Sequence, residues 1–439
     1  MSHLFGTDGI RARVGEYPLT LNNIQHLGHV IYQWAEKKYG PRPRFLLAHD
    51  TRLSCSWLKA TLKNGLLRHP TDLYDAEVLP TPAVFHLLKQ TQCHAGIIIS
   101  ASHNPYYDNG IKIIDSVTGK LSLEDEQELS RLFYAPIENS IDYEQLGHDT
   151  ILHNAHELYA RHIVKLFAKN FLSGLRIVLD TAHGATSVSA EMIFKALGAE
   201  TILINNTPNG ININHQCGAL HLESLQQAVI NHHADVGFSF DGDGDRVMAV
   251  NSQGVIKNGD DILALLSTHP DYTQMPAIVG TIMSNQGLEA FLHQHNKKLL
   301  RTAVGDKYVS ETLTQENLLL GGEQSGHIIL KNMLATGDGI LAALKVLETI
   351  LLTENRELES FEKFPQFLIN LPVKEKKDLS LPPFSDLITQ TSSSLPTGRL
   401  VIRYSGTENY LRIMIEEKDH YCAQEAINHL SQQLQKLLT

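Results

Sequence analysis

Residues 44–67 read RFLLAHDTRLSCSWLKATLKNGLL. The stretch begins with an apolar run, continues through a polar loop, and ends with apolar residues spaced three to four positions apart. The apolar run has the length of a buried strand, and the later spacing is the period of a helix that packs on one face. The stretch therefore predicts a strand, a loop and a helix in that order.

The same order recurs twice further along the chain. RIVLD, from Arg176, leads into a helix-like stretch that ends at Leu197, and AIVGTIMS, from Ala277, starts a third unit. Strands that alternate with helices predict crossover connections and mainly parallel or mixed sheets. Any α/β protein alternates in this way, so the repeat alone leaves open whether the units are related.

The last part of the chain has a different pattern. Two strand-like runs, 400–404 and 410–415, precede a helix-like stretch over 421–438. A chain of 439 residues has room for about two to four domains of ordinary size. We predict an α/β fold class, with three related α/β domains built on mixed sheets and a smaller C-terminal α+β domain.

Domain boundaries are predicted where the composition changes. Pro136 and mixed polar residues mark 134–150 as a connector, two prolines mark 361–372 as another, and a turn-like cluster occupies 251–254. These breaks divide the chain into four predicted domains, at residues 1–150, 151–252, 253–365 and 366–439.

Charge and composition disfavour several classes of protein. A net charge of −11 argues against nonspecific binding to nucleic acid or anionic lipid. Four cysteines far apart predict neither a disulfide framework nor a zinc site, and fit a reducing compartment. The start of the chain lacks a secretory pattern, and the most apolar stretch, 340–352, is too short to span a bilayer. We expect a cytoplasmic protein with no nucleic-acid or membrane partner.

Three carboxylates alternate with glycines in Asp241-Gly-Asp-Gly-Asp245, between strand-like runs over 236–240 and 247–250. Glycines let the backbone bend so that alternate side chains face one cation, and Mg²⁺ prefers a few carboxylates plus water or phosphate oxygens. A calcium loop fails on spacing, because its sixth position is Arg246 and its twelfth is Ser252. Two alternatives remain, a metal site and a solvated acidic turn.

Ser102 lies in SASHNP, residues 100–105, directly after the apolar run 96–99. Loops at the carboxyl ends of strands are where α/β sheets bind ligands, and a serine there can carry a phosphoryl group beside a cation. A hydrolase elbow is excluded, because Ala101 and His103 flank Ser102 without either glycine of Gly-x-Ser-x-Gly. On its own the segment favours an ordinary turn over a catalytic role.

Two later segments offer polar groups to a ligand. The loop 403–409, followed by Arg412, presents hydroxyls, backbone N–H groups and two guanidiniums, which suit a phosphate dianion. A plain hairpin with surface arginines is the alternative. The segment 321–327 places acceptors and an imidazole in a turn, which suits sugar hydroxyls.

Together these segments resemble the α-D-phosphohexomutase family along essentially the whole chain. The family's motifs appear in order as FGTDGIR at 5–11, SASHNPYYDNGIK at 100–112, DGDGDR at 241–246, GEQSGH at 322–327 and RYSGTEN at 403–409. The resemblance implies four domains around a central cleft, one Mg²⁺ ion per chain and a homodimer.

The resemblance also implies a role for each matching residue. The family's phosphoserine matches Ser102. Its Mg²⁺ ligands match Ser102, Asp241, Asp243 and Asp245. Its groups for transition-state charge and proton transfer match Arg11, Lys112 and His327. Its substrate contacts match Arg246, Glu323, Ser325, Arg403, Ser405, Gly406, Thr407, Asn409 and Arg412.

The implied reaction is the isomerisation of a hexosamine phosphate. Phosphorylated Ser102 would convert glucosamine 6-phosphate into glucosamine 1,6-bisphosphate, which reorients and returns its other phosphate, leaving glucosamine 1-phosphate for UDP-N-acetylglucosamine synthesis. Glucosamine or glucose 1,6-bisphosphate would prime the serine. The segments 105–108, 304–308 and 337–340 look like the glucosamine branch of the family.

Two alternatives to this substrate and activity stay open. One is activity on mannose or glucose phosphates, which the same fold and motifs would serve. The other is a phosphosugar-binding regulator without catalysis, whose symptoms would be the departures from family pattern at Ala12, His183, Leu220 and Lys307.

Overall fold

The computed structural model describes residues 4–6, 8–136, 146–405 and 409–438. Its helices are α1 (Leu21–Tyr39), α2 (Cys55–Leu66), α3 (Thr81–Gln90), α4 (Leu123–Phe133), α5 (Ala155–Val164), α6 (Ser189–Ala196), α7 (Glu223–Asn231), α8 (Gly259–Ser267), α9 (Gln286–Gln294), α10 (Asp306–Gln315), α11 (Gly339–Thr353), α12 (Phe384–Ser393) and α13 (His420–Leu438).

The strands form four sheets. They are β1 (Ile10–Arg13), β2 (Arg44–His49), β3 (Asp72–Val78), β4 (Ala95–Ile99), β5 (Asp108–Asp115), β6 (Gly119–Lys120), β7 (His148–Ile151), β8 (Arg176–Asp180), β9 (Glu200–Ile204), β10 (Val236–Phe240), β11 (Val247–Asn251), β12 (Ile256–Lys257), β13 (Ala277–Thr281), β14 (Lys298–Thr302), β15 (Leu320–Gly322), β16 (Ile328–Leu330), β17 (Gln366–Pro372), β18 (Arg399–Tyr404) and β19 (Tyr410–Glu416).

The first sheet has the order β1-β5-β4-β2-β3-β7, with β6 paired to β5. Because β2 is parallel to β4, the loops that follow these two strands leave at the same edge. β5 is antiparallel to β4 and to β1, which places Lys112 beside Ile98 and Arg11 beside Gly110. The predicted connector over 134–150 is wrong at its end, because β7 pairs with β3.

The second and third sheets are also mixed. The second, β12-β11-β10-β8-β9, runs parallel from β10 through β9, and the antiparallel β10–β11 hairpin carries the loop 241–246. The third, β14-β13-β15-β16, is parallel except for the β15–β16 hairpin, which carries residues 323–327. Three mixed α/β sheets confirm the predicted fold class.

The fourth sheet is antiparallel, with the order β17-β19-β18, and helices α12 and α13 belong to the same part of the chain. β17 pairs with β19 along its whole length. The predicted connector over 361–372 is therefore wrong from residue 366 onward. Its prolines do not break the strand, because Pro365 precedes it and Pro372 is its last residue.

The hydrophobic cores divide the molecule unevenly. One core joins the first three sheets, and its members include Leu46, Leu179, Ile278 and Ile340. A second core lies around α1, α2 and α4. The last domain has a core of its own, centred on Leu411 and its neighbours in β19 and α13. Among the described residues, no helix combines the length and apolar character needed to cross a bilayer.

Candidate active site

Ser102 lies just beyond the end of β4, with its side chain directed at the β10–β11 loop. The residue is 1% exposed and has a φ of 51°, a region that residues other than glycine seldom adopt. Its Oγ donates a 2.6 Å hydrogen bond to Asp241 Oδ2 and lies 3.3 Å from His103 Nδ1. The hydroxyl of the first domain is thus held against a carboxylate of the second domain, which contains the β10–β11 loop.

Two side chains, the guanidinium of Arg52 and the amide of Asn214, hold the loop that carries Ser102, here called the serine loop. Arg52 donates to the carbonyls of Ser102 and Asn104 at 2.9 and 2.8 Å, and its Nε donates to Asp50 at 2.8 Å. Asn214, from the second domain, donates to the same two carbonyls at 2.9 and 3.2 Å. These bonds over-determine the loop and so maintain the strained backbone of its serine.

The three aspartates of the β10–β11 loop converge. Asp241, Asp243 and Asp245 are 0%, 1% and 5% exposed, and one oxygen from each lies within 4.8 Å of the others. A solvated acidic turn is therefore ruled out. Burial, followed by the charges of Asp245 and Asp243, raises the pKa of Asp241 well above its usual value.

The donor set fits a magnesium ion. In the part of the chain that the structure describes, no hydrogen-bond partner reaches the buried Oδ1 of Asp243. An uncompensated buried carboxylate oxygen is costly, and a hard cation that prefers oxygen ligands would compensate it. Ser102 Oγ, beside Asp241, adds a fourth oxygen at the same place. Three carboxylates and one hydroxyl or phosphate oxygen are ligands that Mg²⁺ accepts.

Thr81 and Lys112 of the first domain hold Asp243. Thr81 Oγ1 donates to its Oδ2 at 2.7 Å, and Lys112 Nζ donates to the same atom at 3.0 Å and to Asp245 at 3.4 Å. Burial works to lower the pKa of Lys112, but the charges of Asp243, Asp8 and Asp245 outweigh it and raise the pKa well above its usual value. Lys112 is therefore a fixed cation at the metal loop.

Arg11 and His103 add a second cation and a neutral ring. Arg11 pairs with Asp8 and lies 3.4 Å from the Ala101 carbonyl oxygen through NH1. Burial, with the charges of Arg246 and Arg11, lowers the pKa of His103 to about 3. The imidazole next to Ser102 is therefore uncharged at neutral pH.

His327 lies in the buried β15–β16 turn, between two carboxylates. Its Nδ1 is 3.7 Å from Asp245 Oδ1 and its Nε2 is 3.6 Å from Asp306 Oδ2. The Gly337 N–H donates to Nε2 at 3.1 Å. Burial works to lower the pKa of His327, but the close approach of Asp245 and the negative charges of Asp245 and Asp306 raise it. Burial works to raise the pKa of Asp245, but Lys112 and the neighbouring His327 ring outweigh it and hold that pKa well below its usual value.

The other predicted sugar-binding residues lie in the same turn and beside it. Glu323 is buried and accepts a 3.0 Å hydrogen bond from the Gly305 N–H, while Ser325 is half-buried. The Arg246 N–H donates to Asp241 Oδ1 at 3.1 Å, and its guanidinium Nε lies 3.9 Å from Asp245. The turn contacts the β10–β11 hairpin, here called the metal hairpin, directly. The Val247 N–H donates to the Gly326 carbonyl oxygen at 3.0 Å.

The predicted phosphate-binding residues lie on the β18–β19 hairpin of the last domain. Arg403 and Arg412 face each other in the strand register. Burial and the charge of Arg412 lower the pKa of Arg403. Ser405 is buried, and Asn409 is exposed. The predicted positions that lie outside the described residues are Gly406 and Thr407.

Arg399 joins this hairpin to the third domain. It donates to the carbonyls of Ile282 and Ser284 at 2.7 and 2.6 Å, and its Nε donates to Glu416 at 2.7 Å. Glu416 in turn accepts the Gln286 N–H at 2.9 Å. A buried ion pair with backbone partners on the other domain thus docks the hairpin.

Several residues at the site were not predicted from the sequence. No catalytic or binding motif marks Arg52, Thr81 or Asn214, and only the fold brings them to the serine and metal loops. Asp8 and His103 lie inside the motifs at 5–11 and 100–112, so their position next to predicted site residues could have indicated them.

Four family models together match most of the chain. They are described as phosphoglucomutase/phosphomannomutase alpha/beta/alpha domains I, II and III, at residues 2–139, 157–254 and 258–367, and the C-terminal domain, at 368–427.

Individual relatives and solved structures agree with these matches. The chain is 38% identical to the phosphoglucosamine mutase of Sulfurovum sp. and 40% identical to that of Wolinella succinogenes, with 95% of each chain covered in both comparisons. A Burkholderia thailandensis phosphoglucomutase/phosphomannomutase family protein shares its fold with a TM-score of 0.79, at 21% identity, over 98% of this chain and 97% of that one. Aspergillus fumigatus N-acetylphosphoglucosamine mutase, solved with GlcNAc-6P and magnesium, gives 0.70 at 17% identity, over 99% and 96%.

Proposed function

This chain belongs to the phosphoglucomutase/phosphomannomutase family of phosphohexomutases, and from that membership we propose that its phosphate passes through Ser102. The protein is an isomerase that interconverts glucosamine 6-phosphate and glucosamine 1-phosphate. The observation that carries the proposal is the buried hydroxyl of Ser102, held 2.6 Å from the first of three converging aspartates. A nucleophile at that position can both carry phosphate and present it to a cation.

The transfer is an in-line exchange of one O–P bond for another. The bond between Ser102 Oγ and phosphorus breaks while a bond forms from the free sugar hydroxyl. The sugar hydroxyl loses its proton, and Ser102 Oγ gains one to become the hydroxyl that donates to Asp241. We assign proton uptake to His327, and accepting it on Nε2 releases the Gly337 N–H that now occupies this nitrogen. The product, glucosamine 1,6-bisphosphate, reorients and returns its other phosphate to the serine.

Charge at the transferring group is balanced by residues already in place. Lys112 and Arg11 supply fixed cations on the first-domain side. When bound by Asp241, Asp243, Asp245 and the Ser102 phosphate, Mg²⁺ would neutralise negative charge at that phosphate.

The substrate is oriented by two further groups of residues. Glu323 and Ser325, in the turn beside the metal hairpin, are assigned to the sugar hydroxyls. Arg403, Ser405, Asn409 and Arg412 are assigned to the phosphate that is not reacting, because paired guanidiniums suit a dianion. Arg246 is assigned to the substrate as well, and the family resemblance assigns Gly406 and Thr407 to the same phosphate.

Four further features belong to the proposal. Glucosamine or glucose 1,6-bisphosphate primes the serine, and a similar Aspergillus fumigatus protein has been solved with glucose 1,6-bisphosphate. The chain divides into domains near residues 150, 252 and 365. Four free cysteines support a reducing, cytoplasmic location. A homodimer follows from the family resemblance alone.

A primed substrate panel tests this function. With Mg²⁺ and a bisphosphate primer, we expect glucosamine 6-phosphate to turn over with a higher kcat/KM than mannose or glucose phosphates. Preference for mannose or glucose phosphate would overturn the substrate assignment. Binding of the sugar phosphates without turnover of any of them would instead identify a non-catalytic binding protein. The variant Ser102→Ala tests the covalent route separately. Its matched control is Ser56→Ala, which changes an exposed serine of the same domain.

A further inference from the structure

Gly337 and Gly339 fill the space between the metal hairpin and His327. The Gly337 N–H donates to the His327 ring at 3.1 Å, and the Gly339 N–H donates to the Gly244 carbonyl at 3.0 Å. A Cβ added to Gly337 would lie 2.6 Å from that ring, and one added to Gly339 would lie 2.5 Å from the Arg246 carbonyl oxygen. Backbone contacts this close transmit any shift of the segment to both neighbours.

Asp338 stands between these glycines and is 2% exposed. Its carboxylate caps α11 by accepting the Leu341 N–H at 2.9 Å. Tyr159 OH on α5 lies 3.0 Å from both of its oxygens, and His86 Nε2 on α3 lies 3.2 Å from one of them. One carboxylate therefore joins three helices, whereas a helix cap alone needs only its backbone partner.

Helix α3 links this carboxylate to the metal loop by a second route. At its first residue, Thr81, the side chain donates to the Asp243 carboxylate at 2.7 Å and the N–H donates to the Asp243 carbonyl at 2.9 Å. His86, on the same helix, contacts Asp338. A closed ring of contacts thus runs from the metal loop through Gly339 and Asp338 to α3 and back to Asp243.

We propose that Asp338 is a positioning residue, which sets the geometry of the metal loop and of His327 although it is not itself one of the metal ligands. The inference rests on the proposed function, because it takes Asp241, Asp243 and Asp245 as the ligands of Mg²⁺. Outer partners of a metal site typically change its affinity by about 10- to 100-fold when removed. Asp338 reaches the ligands through one backbone segment and one helix, so the lower end of that range is expected.

Mn²⁺ binding to the full chain without substrate, followed by electron paramagnetic resonance, tests this inference. Asp338→Asn and Tyr159→Phe are each expected to weaken Mn²⁺ binding by about tenfold. Both should also lower kcat more than they change KM for glucosamine 6-phosphate. Tyr159→Phe keeps the ring in the core and the cap of α11, so it remains informative even where Asp338→Asn fails to fold.

Ser122→Ala is the matched control, because Ser122 caps α4 by accepting the Asp125 N–H at 3.1 Å and α4 packs against α1. It should bind Mn²⁺ as the wild type does. Unchanged binding in folded Tyr159→Phe and Asp338→Asn, or an equal loss in Ser122→Ala, would overturn the inference alone. If Asp243→Asn bound Mn²⁺ as tightly as the wild type, the proposed metal site would be overturned, and the inference with it.

Discussion

The serine–metal region, formed by Ser102, Asp241, Asp243 and Asp245, differs from the phosphate hairpin that carries Arg403 and Arg412. In the serine–metal region, buried carboxylates meet lysine, threonine and serine donors from another domain. In the hairpin, Arg403 and Arg412 occupy opposite positions on neighbouring strands, and burial together with the charge of Arg412 lowers the pKa of Arg403. Like charges placed opposite each other are unfavourable, so the hairpin suits a phosphate dianion that lies between them.

Packing follows the same division. The first three sheets share one hydrophobic core, whereas the hairpin belongs to a domain with a core of its own, docked through Arg399. The proposed chemistry therefore lies where several domains fix each group, and the proposed site for the distal phosphate lies on a separately packed unit. That separation predicts that turnover and binding can be lost independently.

The largest expected effect is on turnover alone. Ser102→Ala should lower kcat by at least about a thousandfold, because the variant has no oxygen to carry the phosphate. Binding of glucosamine 6-phosphate, measured by calorimetry, should survive, since the phosphate hairpin is intact. Undiminished turnover would contradict the covalent route, and Ser56→Ala should behave as the wild type.

A smaller effect is expected on binding. Arg412→Ala should weaken sugar-phosphate binding by about ten- to a hundredfold, which corresponds to losing a charge-assisted hydrogen bond of roughly 1.5 to 3 kcal/mol. Arg176→Ala removes an exposed arginine that pairs with Glu200 in the second domain, and it serves as the control for lost charge. Equal affinities in the two variants would remove Arg412 from the binding site.

Asn214 of the second domain supports the serine loop by two hydrogen bonds, and one substitution tests this support. Asn214→Ala should lower kcat by about tenfold, because two hydrogen bonds to the Ser102 loop of roughly 0.5 to 1.5 kcal/mol each are lost. KM should change little. The control is Asn212→Ala in the same segment, which removes side-chain hydrogen bonds to Asn209 and Thr207 of its own loop and should leave kcat unchanged. A KM effect without a kcat effect would place Asn214 in binding instead.

The smallest effect concerns stability away from both regions. Burial, followed by the charges of His29 and Arg68, lowers the pKa of His69 to about 4. His69 is bonded to His29 at 2.6 Å and stacks on Tyr32, and the pKa of His29 is itself lowered by burial and by His26. The folded chain therefore binds fewer protons than the unfolded chain between about pH 4 and 6.5, and stability falls as the pH is lowered through that window.

His69→Gln cannot take up this proton. Between pH 7 and pH 5, its apparent Tm should therefore fall less than that of the wild type, by about 1–2 °C. Thermal unfolding at both pH values measures the difference. An equal or larger fall of Tm in the variant would show that the pKa of His69 is not lowered in the folded state.

Much of the fold could be predicted from the sequence. The strand that became β10 was predicted at its observed bounds, and the alternation after Arg44 yielded β2 and α2, because apolar runs and helical spacing are local properties. The two connectors failed where residues 148–151 and 366–372 form strands. Both are edge strands, β7 exposed and β17 partly exposed, and their pairing with β3 and β19 is decided by distant residues.

The site was predictable only in part. The metal loop carries its own signal in charge and spacing, whereas Ser102 fits an ordinary turn until the order of all motifs is considered. Arg52 and Asn214 reach the serine loop over 50 and 112 residues of sequence, so no local pattern could indicate them. Asp338 was visible as part of a family-like segment, but its contacts with α3 and α5 depend on the packing of three domains.

Phosphate on Ser102 tests the central claim most directly. The chain would be primed with ³²P-labelled glucosamine 1,6-bisphosphate and Mg²⁺, digested to locate the label, and chased with unlabelled glucosamine 6-phosphate. We predict label on the peptide that contains Ser102, lost to sugar bisphosphate during the chase and absent from Ser102→Ala. Turnover of glucosamine 6-phosphate with no label on that peptide would contradict the account.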